Sequence, residues 1–166
     1  MPAREVFRGK LISVRVEDGR EIVEHPVGVT IAAVEESGSV WLVRQARPAV
    51  GRTVLELPAG IVAPGEAGLA AAQRELAEEI GLQASSLEKP TEFYTSPGFT
   101  NEVLEMYLAT GLSQASGHHL DAEESIDEAI TLPLEEAYRK CLSGEIKDSK
   151  TIIGIALARE RLETLV

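Results

Sequence analysis

Cysteine is almost missing from this chain, with Cys141 the single example. An internal disulfide is therefore excluded, and the chain suits a reducing compartment such as the cytoplasm. Cys141 falls in an expected helix and reads as a small core residue. Basic residues are scarce as well: 16 Lys and Arg face 27 Asp and Glu, a formal net charge of −11. That balance argues against nucleic acid, which binds to basic surface. It leaves room for a small anionic substrate, because a metal ion and a few placed arginines reverse the field inside one cleft. The sequence has no run of about 18 apolar residues that would span a membrane, and its first residues lack the apolar segment of a signal peptide. With 44% apolar and 26% charged residues in 166 positions, the chain has the composition of a globular domain with a real core. It is short for two domains and shows neither an internal repeat nor a linker.

What is abundant is glutamate, and its densest functional pattern runs from Gly60 to Leu82. A loop with Gly60, Pro64 and Gly65 feeds an unbroken run of helix formers from Ala67 to Ile80, ended by Gly81. On a 3.6-residue period Leu69, Ala72, Leu76 and Ile80 form an apolar stripe, and Glu75, Glu78 and Glu79 fall on a neighbouring one. Like charges three or four residues apart cost a helix roughly 0.2–0.5 kcal/mol per pair. A hard divalent cation, Mg²⁺ or Mn²⁺, gives such a cluster a purpose, since it takes oxygen ligands and sits between carboxylates and substrate phosphates. The plainer reading is a solvated acidic face.

The preceding loop and an arginine inside the helix favour the cation. The spacing Gly-x5-Glu-x7-Arg-Glu-x-x-Glu-Glu-x-Gly-x, met by Gly60, Glu66, Arg74, Glu75, Glu78, Glu79 and Gly81, with apolar Leu76 and Leu82, resembles the Nudix box. No box position is substituted. The resemblance implies a metal-dependent diphosphate hydrolase with an α/β/α sandwich around a mixed sheet.

The rest of the chain reads in agreement. Leu11–Val16 and Arg20–Glu24, joined at Asp18-Gly19, predict an N-terminal β-hairpin over residues 1–26. Two strands alone are marginal, so the hairpin is expected to pack on the main domain, residues 27–166, or on a second subunit. Val27–Val34 reads as a strand buried on both faces, with Val40–Val43 as its expected antiparallel neighbour. Thr53–Leu57 delivers the chain to the box; Thr91–Thr95, Val103–Ala109 and Ile126–Leu132 are further strands. Residues 111–125 read as an acidic loop. Helices are expected over Leu134–Leu142 and from an Asp148 or Ser149 cap to about Leu165, the latter with apolar positions Ile152, Ile153, Ala156, Leu157 and Leu162.

A second marker narrows the resemblance. The ADP-ribose pyrophosphatase branch of the Nudix family carries a proline at a set distance past the box, and Pro97, within Ser96-Pro97-Gly98-Phe99-Thr100, stands there. The segments Gly19–Pro26, Val43–Pro48, Glu56–Gly60 and Gly144–Thr151 are also similar to that branch. The resemblance implies hydrolysis of ADP-ribose to AMP and ribose 5-phosphate. It casts Glu75, Glu78 and Glu79 as metal ligands with the Ala59 carbonyl, and Arg74 as the residue that pins the glutamates. Gly60 and Gly81 are structural, and Glu66 either steadies the loop-to-helix turn or joins the outer metal shell. The general base is expected to be Glu102, Glu123 or Glu124, or one of the box glutamates. Arg47 is the first choice for the phosphates and Arg44 a second, with Pro97 and Gly98 near the substrate. Arg20 and Glu21 match hairpin positions that reach a partner's site, which implies a homodimer. His25 reads as a strand end, and His118 and His119 lack a third partner at zinc-ligand spacing. Alternatives are a hydrolase of another nucleoside diphosphate sugar such as GDP-mannose, a broad-range one, a non-catalytic ADP-ribose sensor, or a structural acidic module.

Overall fold

The computed structural model describes residues 3–115 and 126–163. Its strands are β1 (Arg4–Arg8), β2 (Ser13–Glu17), β3 (Arg20–Glu24), β4 (Gly28–Ala33), β5 (Ser39–Arg47), β6 (Arg52–Glu56), β7 (Ala59–Ile61), β8 (Leu82–Tyr94), β9 (Val103–Gln114) and β10 (Ile126–Pro133). Its helices are α1 (Gly68–Ile80), α2 (Leu134–Leu142) and α3 (Ser149–Glu163). They form an N-terminal sheet β1-β2-β3, a mixed sheet β7-β4-β9-β8 and an antiparallel sheet β10-β5-β6.

The α/β/α sandwich follows from the two faces of β4. All six of its residues are buried. Val29, Ile31 and Ala33 pack with Ala71, Ala72 and Leu76 of α1, while Ala32 and Val34 pack with Ile155 and Ala158 of α3 and Ala137 of α2. β9, parallel to β4, repeats the division with Tyr107 and Ala109 on the α1 side and Met106 and Leu108 on the other. A central strand buried on both faces carries apolar residues without alternation, which is why this part of the sequence is easily read.

Several expectations need correction. β5 is not the sheet partner of β4: β7 and β9 hold both edges of β4, and only the bridge Val34–Val40 joins it to β5, which pairs with β6 and β10. The turn at Glu35–Ser39 reverses the chain, but strands adjacent in sequence separate here into different sheets. The N-terminal hairpin gains a third strand, β1, along β2. β8 starts directly after Gly81, far upstream of Thr91; its Pro90 falls where the register with β9 shifts, a place where a missing N–H is tolerated. β9 continues to Gln114, so part of the expected acidic loop is strand.

The helix faces also differ from the apolar count. In α1 Leu69 is 54% exposed, and the buried side is Ala71, Ala72, Glu75, Leu76 and Glu79. In α3 the inward positions are Thr151, Gly154, Ile155 and Ala158, whereas Ile152 and Ala156 are exposed. Polar anchors set the rotation of α3. The Thr151 hydroxyl accepts from the Leu57 N–H at 2.8 Å, while Asp148 caps the helix by accepting from the Thr151 N–H and hydroxyl.

One buried group on β4 is left without compensation. The Thr30 hydroxyl is fully buried and has no hydrogen-bond partner among the described residues. A buried unpaired hydroxyl costs about 1–3 kcal/mol. Thr30→Val keeps the branched shape and is expected to raise stability by about 1 kcal/mol, read as a higher Tm. A lower Tm would show that the hydroxyl is bonded after all.

Candidate functional site

The site is built where β7 turns into α1. β7 is held against β4 by the pairs Thr30–Ala59, Val29–Gly60 and Gly28–Ile61, and the Ile31 N–H donates to the Pro58 carbonyl at 2.9 Å. After a short loop α1 begins at Gly68 and ends at Gly81, whose φ of 71° lets its N–H turn back to the Ala77 carbonyl. With both ends fixed, the helix lays two carboxylates onto the β7 backbone. Glu79 and Glu75 are each only 4% exposed. Glu79 Oε2 accepts from the Ala59 N–H at 3.0 Å. The Glu75 carboxylate lies over Gly60, with Oε1 1.9 Å from the point where a Cβ would be. No larger residue fits at position 60 while Glu75 stays there.

Arg74 joins the remaining acids. Its Nη1 donates to Glu75 Oε1 at 2.6 Å and to Glu78 Oε2 at 2.9 Å, its Nε and Nη2 reach Glu66 at 3.0 Å, and Nη2 also bonds the Ile61 carbonyl. Glu66 accepts in addition from the Ala63 N–H at 2.9 Å. The Arg74 hydrogen bonds and then that backbone bond hold the Glu66 carboxyl down at about 2, and its acids raise the Arg74 guanidinium above its usual range. Glu66 is thus part of the loop-to-helix turn. Among the described residues no three carboxylate, imidazole or thiol side chains converge into a ready-made metal cage. The donor chemistry nevertheless fits a hard cation: the buried Glu75 and Glu79 and the half-buried Glu78, beside the Ala59 and Gly60 backbone, offer the all-oxygen set that Mg²⁺ takes.

The cleft over Ala59 and Gly60 has a volume of about 390 Å³ and is lined also by Arg47, Glu56, His25 and Glu102. Arg47 grips Glu56 with Nε at 2.9 Å and Nη2 at 2.8 Å. Glu56, 2% exposed, also bonds Lys150 Nζ, which lies 3.0 Å from Asp148 Oδ1. Burial raises the Glu56 carboxyl, but the Arg47 and Lys150 contacts outweigh it and leave Glu56 below the usual carboxylate range. On the opposite wall the Thr95 hydroxyl donates to Glu102 Oε2, and His25 Nδ1 is 3.3 Å from Glu102 Oε1. His25 is thus more than a strand end.

Other sequence candidates are not gathered here. Arg44 pairs with Glu128 at 3.1 Å and lines a larger cleft of about 950 Å³ with Arg52, Leu55 and Lys147. That cleft shares Glu56, Asp148 and Ser149 with the smaller one, but among the described residues no member of the 60–82 stretch lines it, so the smaller cleft is the candidate site. Arg20 and Glu21 are exposed on β3. Pro97 and Gly98 sit in a turn closed by the Phe99 and Thr100 N–H groups on the Ser96 carbonyl, outside the cleft lining. That turn is tied to the N-terminal sheet, since the Val23 N–H donates to the Phe99 carbonyl at 2.7 Å. Glu123 and Glu124, with His118 and His119, lie outside the described residues. Glu56, Lys150 and His25 received no site role from the sequence, although all three stand in segments similar to the pyrophosphatase branch.

Comparison with known proteins agrees with this geometry. The NUDIX domain model matches residues 24–152. The chain is 39% identical over 160 residues to an ADP-ribose pyrophosphatase of Bacillus subtilis, covering 91% of this chain and 86% of the relative. It is 41% identical over 158 residues to an ADP-ribose pyrophosphatase of Mycobacterium tuberculosis, covering 90% and 75%. It is also 36% identical over 163 residues to a methanol dehydrogenase activator of Bacillus methanolicus, covering 91% and 86%. A crystal structure described as an ADP compounds hydrolase shares the fold, with a TM-score of 0.82 at 21% identity over 99% of this chain and 94% of that one.

The approach of Glu75 to Gly60 is open to a direct check. Gly60→Ala is expected to cost about 1–3 kcal/mol, the scale of overpacking a filled site. Gly98→Ala, with open space around its Cβ position, should stay within about 0.5 kcal/mol. Equal melting temperatures for the two variants would mean that Glu75 does not lie over Gly60.

Proposed function

Because the chain belongs to the NUDIX family, we propose that it hydrolyses the diphosphate bond of ADP-ribose, giving AMP and ribose 5-phosphate. The observation that carries this reading is the pair of buried carboxylates, Glu75 and Glu79, laid on Ala59 and Gly60 of β7, which line one cleft with Arg47. The two pyrophosphatase relatives, aligned over about nine-tenths of the chain, support ADP-ribose as substrate.

Glu75, Glu78 and Glu79, with the Ala59 carbonyl, would hold the divalent cation, for which Mg²⁺ or Mn²⁺ is proposed. Bound there, the metal supplies charge neutralisation for the diphosphate, a more acidic water and support for the leaving oxygen. Arg74 keeps Glu75 and Glu78 in place through Nη1 and ties the loop to the helix through Glu66. Arg47 meets the phosphates. Its Nε and Nη2 edge is committed to Glu56, so Nη1 is the edge turned to substrate. Glu102 is our candidate to take the proton from the attacking water, since it lines the cleft and is steadied by the Thr95 hydroxyl and His25. Glu123 and Glu124 are the rival candidates. Water adds to one phosphorus, the bond from that phosphorus to the bridging oxygen breaks, and the other phosphate leaves with that oxygen.

We also propose a homodimer in the cytoplasm, the main domain being residues 27–166 and the N-terminal unit residues 1–26. Val6 and Phe7 on β1 and Leu11 just before β2 leave apolar surface exposed, as expected of a region that packs on a second copy. Arg20 and Glu21, exposed on β3, would then reach the partner's substrate. No helix among the described residues is long and apolar enough to cross a membrane.

Turnover of ADP-ribose, ADP-glucose, GDP-mannose and diadenosine compounds with Mg²⁺ tests the substrate, and a preference for the guanine nucleotide would overturn it. Glu79→Gln should lower ADP-ribose hydrolysis by about 100-fold or more, the scale of losing a group that acts in the transition state. Glu135→Gln, far off on α2 and paired with Arg159, should leave it unchanged. Binding of ADP-ribose without turnover would identify a sensor instead.

A further inference from the structure

One wall of the cleft holds a linked set of charges of which the proposed chemistry uses only Arg47 directly. Glu56 ends β6 and Lys150 stands in the first turn of α3; they are 2% and 9% exposed. Lys150 Nζ bonds Glu56 Oε2 and also Asp148 Oδ1, the latter at 3.0 Å. Glu56 in turn receives Arg47 through Nε on one oxygen and Nη2 on the other. Two acids and two bases thus alternate, Asp148–Lys150–Glu56–Arg47, from the cap of α3 to the wall of the cleft. All four line the space above Ala59 and Gly60.

The order of the chain of contacts matters. Arg47 is the most exposed member and stands at the end of β5, a position from which a long side chain swings freely unless gripped. A planar guanidinium held on two nitrogens by one carboxylate has its plane and its outward edge fixed. That carboxylate can do so only if its own rotamer is fixed, and Lys150 is the group that holds it from behind. Asp148, immobilised by accepting from the Thr151 N–H at 3.0 Å and from the Thr151 hydroxyl, fixes Lys150. Thr151 accepts from the Leu57 N–H, so the same turn of α3 also sets the backbone next to Glu56.

We propose that Lys150 is a positioning residue for substrate binding: acting through Glu56, it fixes the Arg47 guanidinium in the orientation that receives the diphosphate. The proposal rests on the ADP-ribose reading above and extends the binding site to the start of α3. A residue of this kind acts on substrate affinity more than on the bond-breaking step, because Arg47 meets the phosphates before and during the reaction.

The test is steady-state hydrolysis of ADP-ribose with Mg²⁺ by wild type, Lys150→Met, Lys150→Gln and Lys150→Arg, with Tm measured for each. Both uncharged variants should raise KM about 10-fold, the scale of losing an outer partner of a binding group, with kcat within about 3-fold of wild type. Lys150→Arg, which keeps the charge, should recover most of the KM. A purely structural lysine would lower kcat in step with the folded fraction and leave KM unchanged; that result, or recovery of both uncharged variants only as unfolded protein, overturns the proposal. Absence of ADP-ribose turnover by the wild type would instead overturn the substrate reading, and the two failures are distinguished in the same assay.

Discussion

Two glutamate side chains held almost out of water against a strand backbone are the constraint around which the molecule is arranged. A carboxylate is not buried at a site like that of Glu75 or Glu79 without hydrogen bonds or opposite charge. The structure supplies both: the Ala59 N–H for Glu79 and the Arg74 guanidinium for Glu75. These contacts need β7 close beneath α1, so β7 is pinned to β4 and position 60 carries no side chain. The cost of the arrangement falls on the helix, which gives up Leu69 to solvent and turns acidic positions inward.

Two polar systems flank the segment from Glu56 to Ile61. At one end, Arg74 connects Glu66, Glu75 and Glu78 and bonds the Ile61 carbonyl, tying loop, strand and helix together. At the other, Glu56, Lys150, Arg47 and Asp148 join the end of β6 to the start of α3. In this second system each charge has a partner of opposite sign within reach, the condition under which burial is tolerated. The residues from Glu56 to Ile61 are therefore anchored at both ends by charge-assisted hydrogen bonds, a rigid mount of the sort that a site needs if it is to hold groups in fixed positions.

The N-terminal sheet is joined to this mount rather than appended to it. β3 bonds the turn after β8 through Val23 and Phe99, and the His25 N–H donates to Asn101 Oδ1 at 2.9 Å. Leu11 and His25 carry the contact into the cleft. A protein of net charge −11 thereby gathers, in one cleft, Arg47, Lys150 and an imidazole beside its acids. The local field there is set by placement and not by the overall balance.

The helix from loop to Gly81, the doubly buried strand β4, the acid and arginine spacing, and the family are all legible from residue order, because they depend on periodicity and on residue types at fixed separations along one element. Residue order also carried the resemblance in the segments holding Glu56 and Lys150, without a role for either. Contacts in the folded chain were needed to show which edges β4 offers, that β5 leaves for another sheet, and that Thr151 rather than Ile152 faces inward. They also show that residues 94 apart, Glu56 and Lys150, share one hydrogen bond. Pairing across a sheet and the rotation of a helix about its axis are settled by contacts between distant segments. A buried polar anchor such as Leu57 N–H to Thr151 can outweigh an apolar stripe that several rotations would satisfy almost equally well.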